Sequence, residues 1–283
     1  MKNRPLILVT NDDGIHSPGL YVAAQAAAKI GDVLIAAPHT QQTGMGRSFP
    51  RCPDDGIIEK IDTQERMLEG LRRERMQDRE TGGHQEVLCG EIRAYAVHGS
   101  PARAVAHGIL ELADRKPNLC ISGINYGENL ATCLTCSGTL GALFEASSYG
   151  IPGIAVSVEA DLSRQHSEDF GERDWSAAQS ILERYIRKVL EQREQVRMIE
   201  AWNINVPDGL KYPYLERRTV LSRQNYFSFV KPEKRDYNRP YRLKSEKIVD
   251  MENLEIDSDI YAVYVDRVAS VTPLNFDMSV RNL

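Results

Sequence analysis

The 283-residue sequence has no uninterrupted apolar run of 18 residues, so it contains no candidate membrane-spanning helix. Its first apolar stretch, Leu6 to Val9, is short and leads into Asn11-Asp12-Asp13, which argues against a secretory leader. Positive charge is not in excess. Lys and Arg total 35 against 40 Asp and Glu, a net charge of -5, so long nucleic acid is not the expected partner. Cysteine is scarce: Cys52, Cys89, Cys120, Cys133 and Cys136 are odd in number and irregular in spacing, which reads as reduced thiols and a cytoplasmic setting. Cys133-x-x-Cys136 lacks both a second cysteine pair and a His-x3-His partner, so neither a zinc site nor a redox pair is expected. Three motifs are missing as well. Without G-x-x-x-x-G-K-[ST] a P-loop NTPase is excluded. The lack of G-x-G-x-x-G after the first strand argues against dinucleotide binding, and the lack of G-x-S-x-G argues against a serine hydrolase.

The composition that remains is ordinary for a globular chain: 42% apolar, 27% charged, with 20 glycines and 13 prolines. At about 150 residues per domain, the length fits one large domain or two small ones. Leu6 to Thr10 is a continuous β-branched and apolar run, as a strand buried on both faces requires. Ser17-Pro18 reads as a helix start, and Gly31 as the stop after Ile30. Further strands are expected at Val33 to Ala37, Leu119 to Ser122, Ile154 to Val158 and Trp202 to Val206. Helices are expected at Leu140 to Tyr149 and, with one apolar stripe, at Trp175 to Val196. This alternation predicts an α/β fold with a mostly parallel sheet between two layers of helices.

Two segments break the rhythm. From Glu59 to Glu80, 13 of 22 residues are charged, which predicts a solvated insertion extending to about residue 86. From Lys231 to Lys247 there are seven bases, three acids and two prolines, which predicts an exposed arm within about residues 225–260. Such an arm suits a partner subunit, an anionic substrate or a plain solvated surface.

Ligands of open α/β sheets bind beyond the carboxyl ends of the strands. Three of those ends are polar here: Asn11-Asp12-Asp13-Gly14, Pro38 to Gly44, and Ser122-Gly123-Ile124-Asn125-Tyr126-Gly127. Adjacent carboxylates repel unless a proton or cation lies between them. With the Thr43 hydroxyl and the Asn125 amide at the same rim, the donors are all oxygens and suit Mg²⁺ or Mn²⁺. Ser137-Gly138-Thr139 precedes a helix and offers backbone N–H groups to an anion. Together these parts describe metal-assisted phosphate chemistry. None of the histidines is singled out as general acid by its spacing.

Leu8-Val9-Thr10-Asn11-Asp12-Asp13-Gly14-Ile15-His16-Ser17-Pro18-Gly19 resembles the N-terminal signature of the SurE (survival protein E) family of 5'/3'-nucleotidases. Ala37-Pro38 with Thr43-Gly44, Ser122 to Asn129, Ser137 to Ala142, Asn203 to Pro207 and Ser270 to Leu274 resemble its later signatures in order. The resemblance implies a single Rossmann-like three-layer domain over residues 1–283. It implies one divalent cation per subunit, held by Asp12, Asp13, Thr43 and Asn125. Phosphate contacts would fall on Ser137, Gly138 and Thr139, with Asn11, Gly44 and Asn129 nearby. The implied substrate is a nucleoside monophosphate and the implied assembly a homodimer or homotetramer, with no membrane partner. Asp12 is the expected catalytic residue, orienting or deprotonating the attacking water. An aspartyl-phosphate route through Asp12, or nucleotide binding without turnover, stands as the alternative. Thr43 replaces the usual serine, Cys136 the usual tyrosine, and Arg103 an acid.

Overall fold

A computed structural model describes residues 4–62, 90–162, 170–171, 173–192 and 199–279. Its strands are β1 (Leu6–Thr10), β2 (Asp32–Pro38), β3 (Ile58–Ile61), β4 (Ile92–Val97), β5 (Leu119–Tyr126), β6 (Gly153–Val158), β7 (Ala201–Val206), β8 (Glu216–Arg218), β9 (Phe227–Phe229), β10 (Ser245–Lys247) and β11 (Ala269–Leu274). Its longer helices are α1 (Pro18–Ala28), α2 (Pro101–His107), α3 (Gly138–Ser148) and α4 (Ser176–Glu191). Nine strands form one sheet in the order β3-β4-β2-β1-β5-β6-β7-β11-β8. The six from β4 to β7 run parallel, while β3 and β11 are antiparallel to their neighbours β4 and β7.

Alternation along β1 explains the three layers. Ile7 and Val9 face one side, packing with Leu20 of α1 and Ile181, Leu182 and Ile186 of α4. Leu6 and Leu8 face the other, packing with Val105 of α2 and Leu140 and Leu143 of α3. Both faces are covered, which is why the strand reads as a continuous apolar run.

Several expected boundaries shift, and some elements escape the sequence reading. The strand expected at Leu119 to Ser122 continues to Tyr126. The helix expected from Trp175 spans Ser176–Glu191, and the expected end near Val196 lies outside the described residues. Strand β4 was not foreseen, because Arg93 and Tyr95 interrupt its apolar pattern beside the short edge strand β3. Most of the charged insertion expected to about residue 86, all of it from residue 63 on, lies outside the described residues, and its first residues, Glu59 to Ile61, belong to β3.

The arm region forms a small antiparallel hairpin of β9 and β10. Lys247 anchors its base: Nζ stands 2.5 Å from Oε1 of Glu128, whose side chain is fully buried. Tyr226 donates its hydroxyl to the same oxygen at 3.0 Å. A buried carboxylate stripped of its cation costs about 3–5 kcal/mol. Lys247→Met should therefore lower the urea midpoint by the equivalent of about 3 kcal/mol; an unchanged unfolding curve would show that the arm is not anchored this way.

Candidate active site

The turn after β1 closes on itself. Asn11 Nδ2 donates to the Gly14 carbonyl at 3.0 Å, and the Gly14 N–H donates to Asn11 Oδ1 at 3.2 Å. This fixes Asp12 and Asp13 at the strand end, where they are only 3% and 4% exposed. Asp12 Oδ1 accepts from the Thr139 hydroxyl at 2.7 Å. The backbone N–H groups of Gly138 and Thr139 also favour the charged Asp12 carboxylate. Ser137 caps α3, its Oγ accepting from the Leu140 N–H at 3.2 Å, so the positive end of that helix faces Asp12. A Cβ on Gly138 would stand 2.7 Å from Asp12 Cβ and 2.8 Å from its Oδ2, so no larger residue fits without displacing the carboxylate.

Asp13 is held differently. Its Oδ2 accepts from the Tyr126 N–H at 3.0 Å, while its buried Oδ1 has no hydrogen-bond partner among the described residues. Burial pushes both carboxyls above the usual carboxylate range, and for Asp13 the Asp12 charge adds to the effect. A hydrogen bond from Gln41 and the positive charge of Arg173 pull Asp13 back only in part. An orphaned carboxylate oxygen beside a second buried carboxylate has the polarity that a hard divalent cation satisfies. These residues fit such an ion.

The other expected ligands reach the same rim by backbone geometry. Between Ser122 and Asn125, β5 carries one extra residue relative to β6, a bulge that re-aims the end of the strand. Gly123 makes this possible: at φ +131°, a Cβ there would stand 2.2 Å from the Val156 carbonyl oxygen. Asn125 donates its Nδ2 to the Gly127 carbonyl at 2.6 Å, so its amide oxygen is the atom left to accept or ligate. On the other side, the Gln42 N–H donates to the Asp12 carbonyl at 2.7 Å and the Ile15 N–H to the Pro38 carbonyl at 2.7 Å. These bonds hold Gln42, the neighbour of Thr43, against the Asp12 backbone. Thr43 lines a cavity of about 230 Å³ with Gln41, Gln42, Met45 and Arg242 of the arm.

Asn129 is the most supported of the expected phosphate residues. Its Nδ2 donates to Ser157 Oγ at 2.9 Å and to Thr139 Oγ1 at 3.4 Å. Its N–H donates to Asn205 Oδ1 at 2.7 Å, and its carbonyl accepts from Asn203 at 2.9 Å and Asn205 at 3.1 Å. The supports Ser157, Asn203 and Asn205 were given no role in the sequence reading. Their signal was legible: Asn203 and Asn205 share one face of an otherwise apolar buried strand. Arg173 was also missed. It packs its guanidinium 4.4 Å from the Tyr126 ring centroid and pairs with Asp208 at 2.9 Å.

The substituted Arg103 is structural here. It bonds the Pro50 carbonyl at 2.8 Å and pairs with Asp55 at 3.2 Å. His16 is exposed, and His107 pairs with Glu111 at 3.3 Å.

The comparisons with known proteins bear on this rim. A family model described as survival protein SurE matches residues 7–228. A protein of Methanocella arvoryzae named 5'-nucleotidase SurE is 34% identical over 279 residues, covering 96% of this chain and 92% of its own. One of the same name from Thermococcus kodakarensis is 34% identical over 276 residues, covering 97% and 94%. The crystal structure of the SurE protein from Aquifex aeolicus superposes with a TM-score of 0.70 at 25% identity, covering 97% of this chain and 95% of that one. The matched residues include the Asp12–Asp13 turn, the β5 bulge and the start of α3, and the chain belongs to the SurE family.

Proposed function

We propose that the chain is a divalent-metal-dependent phosphatase that hydrolyses nucleoside 5'-monophosphates, and 3'-monophosphates as a second class, to nucleoside and phosphate. Two things support this reading: the relatives named 5'-nucleotidase SurE, and the buried Asp13 Oδ1 beside Asp12, unpartnered among the described residues. That orphaned oxygen is the single observation that carries it. Asp12, Asp13, Thr43 and Asn125 would hold one Mg²⁺ or Mn²⁺. When bound, the ion supplies charge to a phosphoryl oxygen and makes a nearby water more acidic.

The chain's own residues do the rest. Thr139 and the start of α3 fix the Asp12 carboxylate, which orients the attacking water and takes its proton. Ser137, Gly138, Thr139, Asn11, Gly44 and Asn129 surround the phosphate in this reading. The Gly138 and Thr139 N–H groups also favour the charged Asp12 carboxylate, so phosphate would share those donors with it. The exposed arm, with Phe229 at 73% and Tyr237 at 86% exposure, suits a homodimer or homotetramer contact.

Arg242 would place a cation beside Gln41, Gln42 and Thr43, where the substrate is proposed to sit. Arg242→Ala should raise KM for AMP about 5–10-fold, since a partly screened ionic contact contributes about 1 kcal/mol; an unchanged KM would remove the arm from substrate binding. The proposal as a whole is tested by phosphate release from AMP and GMP with Mn²⁺ or Mg²⁺. It predicts metal-dependent release that chelation abolishes. Nucleotide binding without release under saturating metal would overturn it.

A further inference from the structure

One strand away from Asp12 and Asp13, a second group of potential ligands converges. His39 directly follows β2, His98 directly follows β4, and Glu59 lies in edge strand β3. His98 Nε2 stands 3.0 Å from Glu59 Oε1, and His39 Nε2 stands 3.9 Å from Glu59 Oε2. One ligand atom from each of the three residues lies within 4.8 Å of the other two. The two imidazole rings stack, with centroids 4.3 Å apart, which turns both Nε2 atoms toward the same carboxylate. The backbone holds the group together. The His39 N–H donates to the Val97 carbonyl, the His98 N–H to the Ile57 carbonyl, and the Gly56 N–H to the His98 carbonyl, each at 2.9 Å.

We propose that His39, Glu59 and His98 form a second metal site, for a divalent ion that accepts imidazole nitrogen, such as Zn²⁺ or Co²⁺. Three observations carry this. The spacing is within reach: tetrahedral donors about 2.0–2.2 Å from an ion stand roughly 3.3–3.6 Å apart, and one carboxylate offers Oε1 at 3.0 Å from His98 Nε2 and Oε2 at 3.9 Å from His39 Nε2, so a small turn of the Glu59 carboxylate would set the triad. The orientation fits too. His98 Nδ1 lies 2.7 Å from Asp54 Oδ2, so a carboxylate holds the far side of the ring and presents Nε2 to the site. The charge also fits, because two carboxylates, Glu59 and Asp54, offset a dication bound by two neutral imidazoles.

The donor set differs from that of Asp12, Asp13, Thr43 and Asn125. Two imidazoles and one carboxylate favour Zn²⁺ or Co²⁺ over Mg²⁺, whereas an all-oxygen set suits Mg²⁺. Three protein ligands leave a fourth position for water or an anion. Bound there, the ion would pin edge strand β3 to the ends of β2 and β4, so loading should stabilise the fold.

The test is calorimetric titration of the intact chain with Co²⁺ in excess Mg²⁺, followed by the visible Co²⁺ spectrum and the melting temperature. One equivalent of Co²⁺ should bind, with a nitrogen-ligated spectrum and a raised melting temperature. His39→Gln and His98→Gln should each weaken binding at least tenfold, Glu59→Gln should do the same, and Asp54→Asn should weaken it about tenfold. Asp13→Asn should leave this equivalent in place, which separates the site from the one proposed for catalysis. If no Co²⁺ binds in excess Mg²⁺, the cluster is a protonated ion-pair group and the proposal falls. It falls equally if binding survives both histidine substitutions, or if it is lost only with Asp13.

Discussion

Asp13→Asn should reduce phosphate release by about 10³-fold while making the metal-free chain more stable. The two effects share one cause. Asp13 keeps a carboxylate oxygen buried with no donor among the described residues, next to the equally buried Asp12. Such an arrangement is unfavourable in the empty fold and useful once a cation binds. Charge stabilisation by a bound ion supplies several kcal/mol, and each 1.36 kcal/mol is tenfold in rate, hence a loss of about 10³. Asparagine keeps an oxygen that can accept from the Tyr126 N–H but removes the negative charge. A gain of about 1–2 kcal/mol corresponds to a melting temperature higher by about 2–8 °C for a chain of this size.

The pH dependence follows from the same residues. Burial raises Asp12 from 3.8 to about 6, and burial with the Asp12 charge raises Asp13 from 3.8 to about 7. A carboxyl raised on folding favours the folded state in its neutral form. Its contribution is therefore complete below pH 3.8 and is lost as the pH climbs through about 7. Metal-free protein should lose stability over that window. Added Mn²⁺ should raise the melting temperature more at pH 8 than at pH 5, because the ion needs the charged form. A metal-free Asp13→Asn chain less stable than the parent at neutral pH would contradict both halves of this account.

Gly138→Ala should be nearly as damaging to activity as loss of an aspartate. The added Cβ would meet Asp12 Cβ at 2.7 Å and Oδ2 at 2.8 Å, below any ordinary contact. Either the carboxylate or the start of α3 must move. Overpacking of this kind costs about 1–3 kcal/mol in stability. Displacing a catalytic group by about 1 Å can cost about 10² in rate. We expect kcat for AMP to fall about 100-fold, with less effect on KM, in a chain that still folds. Steady-state kinetics with a melting curve would check this; unchanged kcat would show that Gly138 does not set the position of Asp12.

The sequence was most informative where chemistry and packing leave local marks. Continuous apolar runs revealed β1, β2 and β6, since strands covered on both faces cannot alternate. Helix α2 was missed although it carries the same Ser-Pro start as α1, at Ser100-Pro101. It spans only seven residues, too few for an apolar stripe. At the rim, adjacent aspartates and a Ser-Gly-Thr turn are local patterns, and the structure places them in contact. The supports of Asn129 and the His39–Glu59–His98 group depend on which strands become neighbours. Glu59 meets His98 because β3 pairs antiparallel with β4, and nothing in either segment alone declares that pairing. The same holds for Lys247 and Glu128, which are distant in sequence and joined by the fold of the arm.

The most direct measurement is the anomalous difference density of a crystal soaked in Mn²⁺, collected for the parent and for Asp13→Asn. We expect a manganese peak in the parent coordinated by Asp12, Asp13, Thr43 and Asn125, and its loss in the variant. Those four side chains well ordered in the parent, with no ion between them, would contradict it.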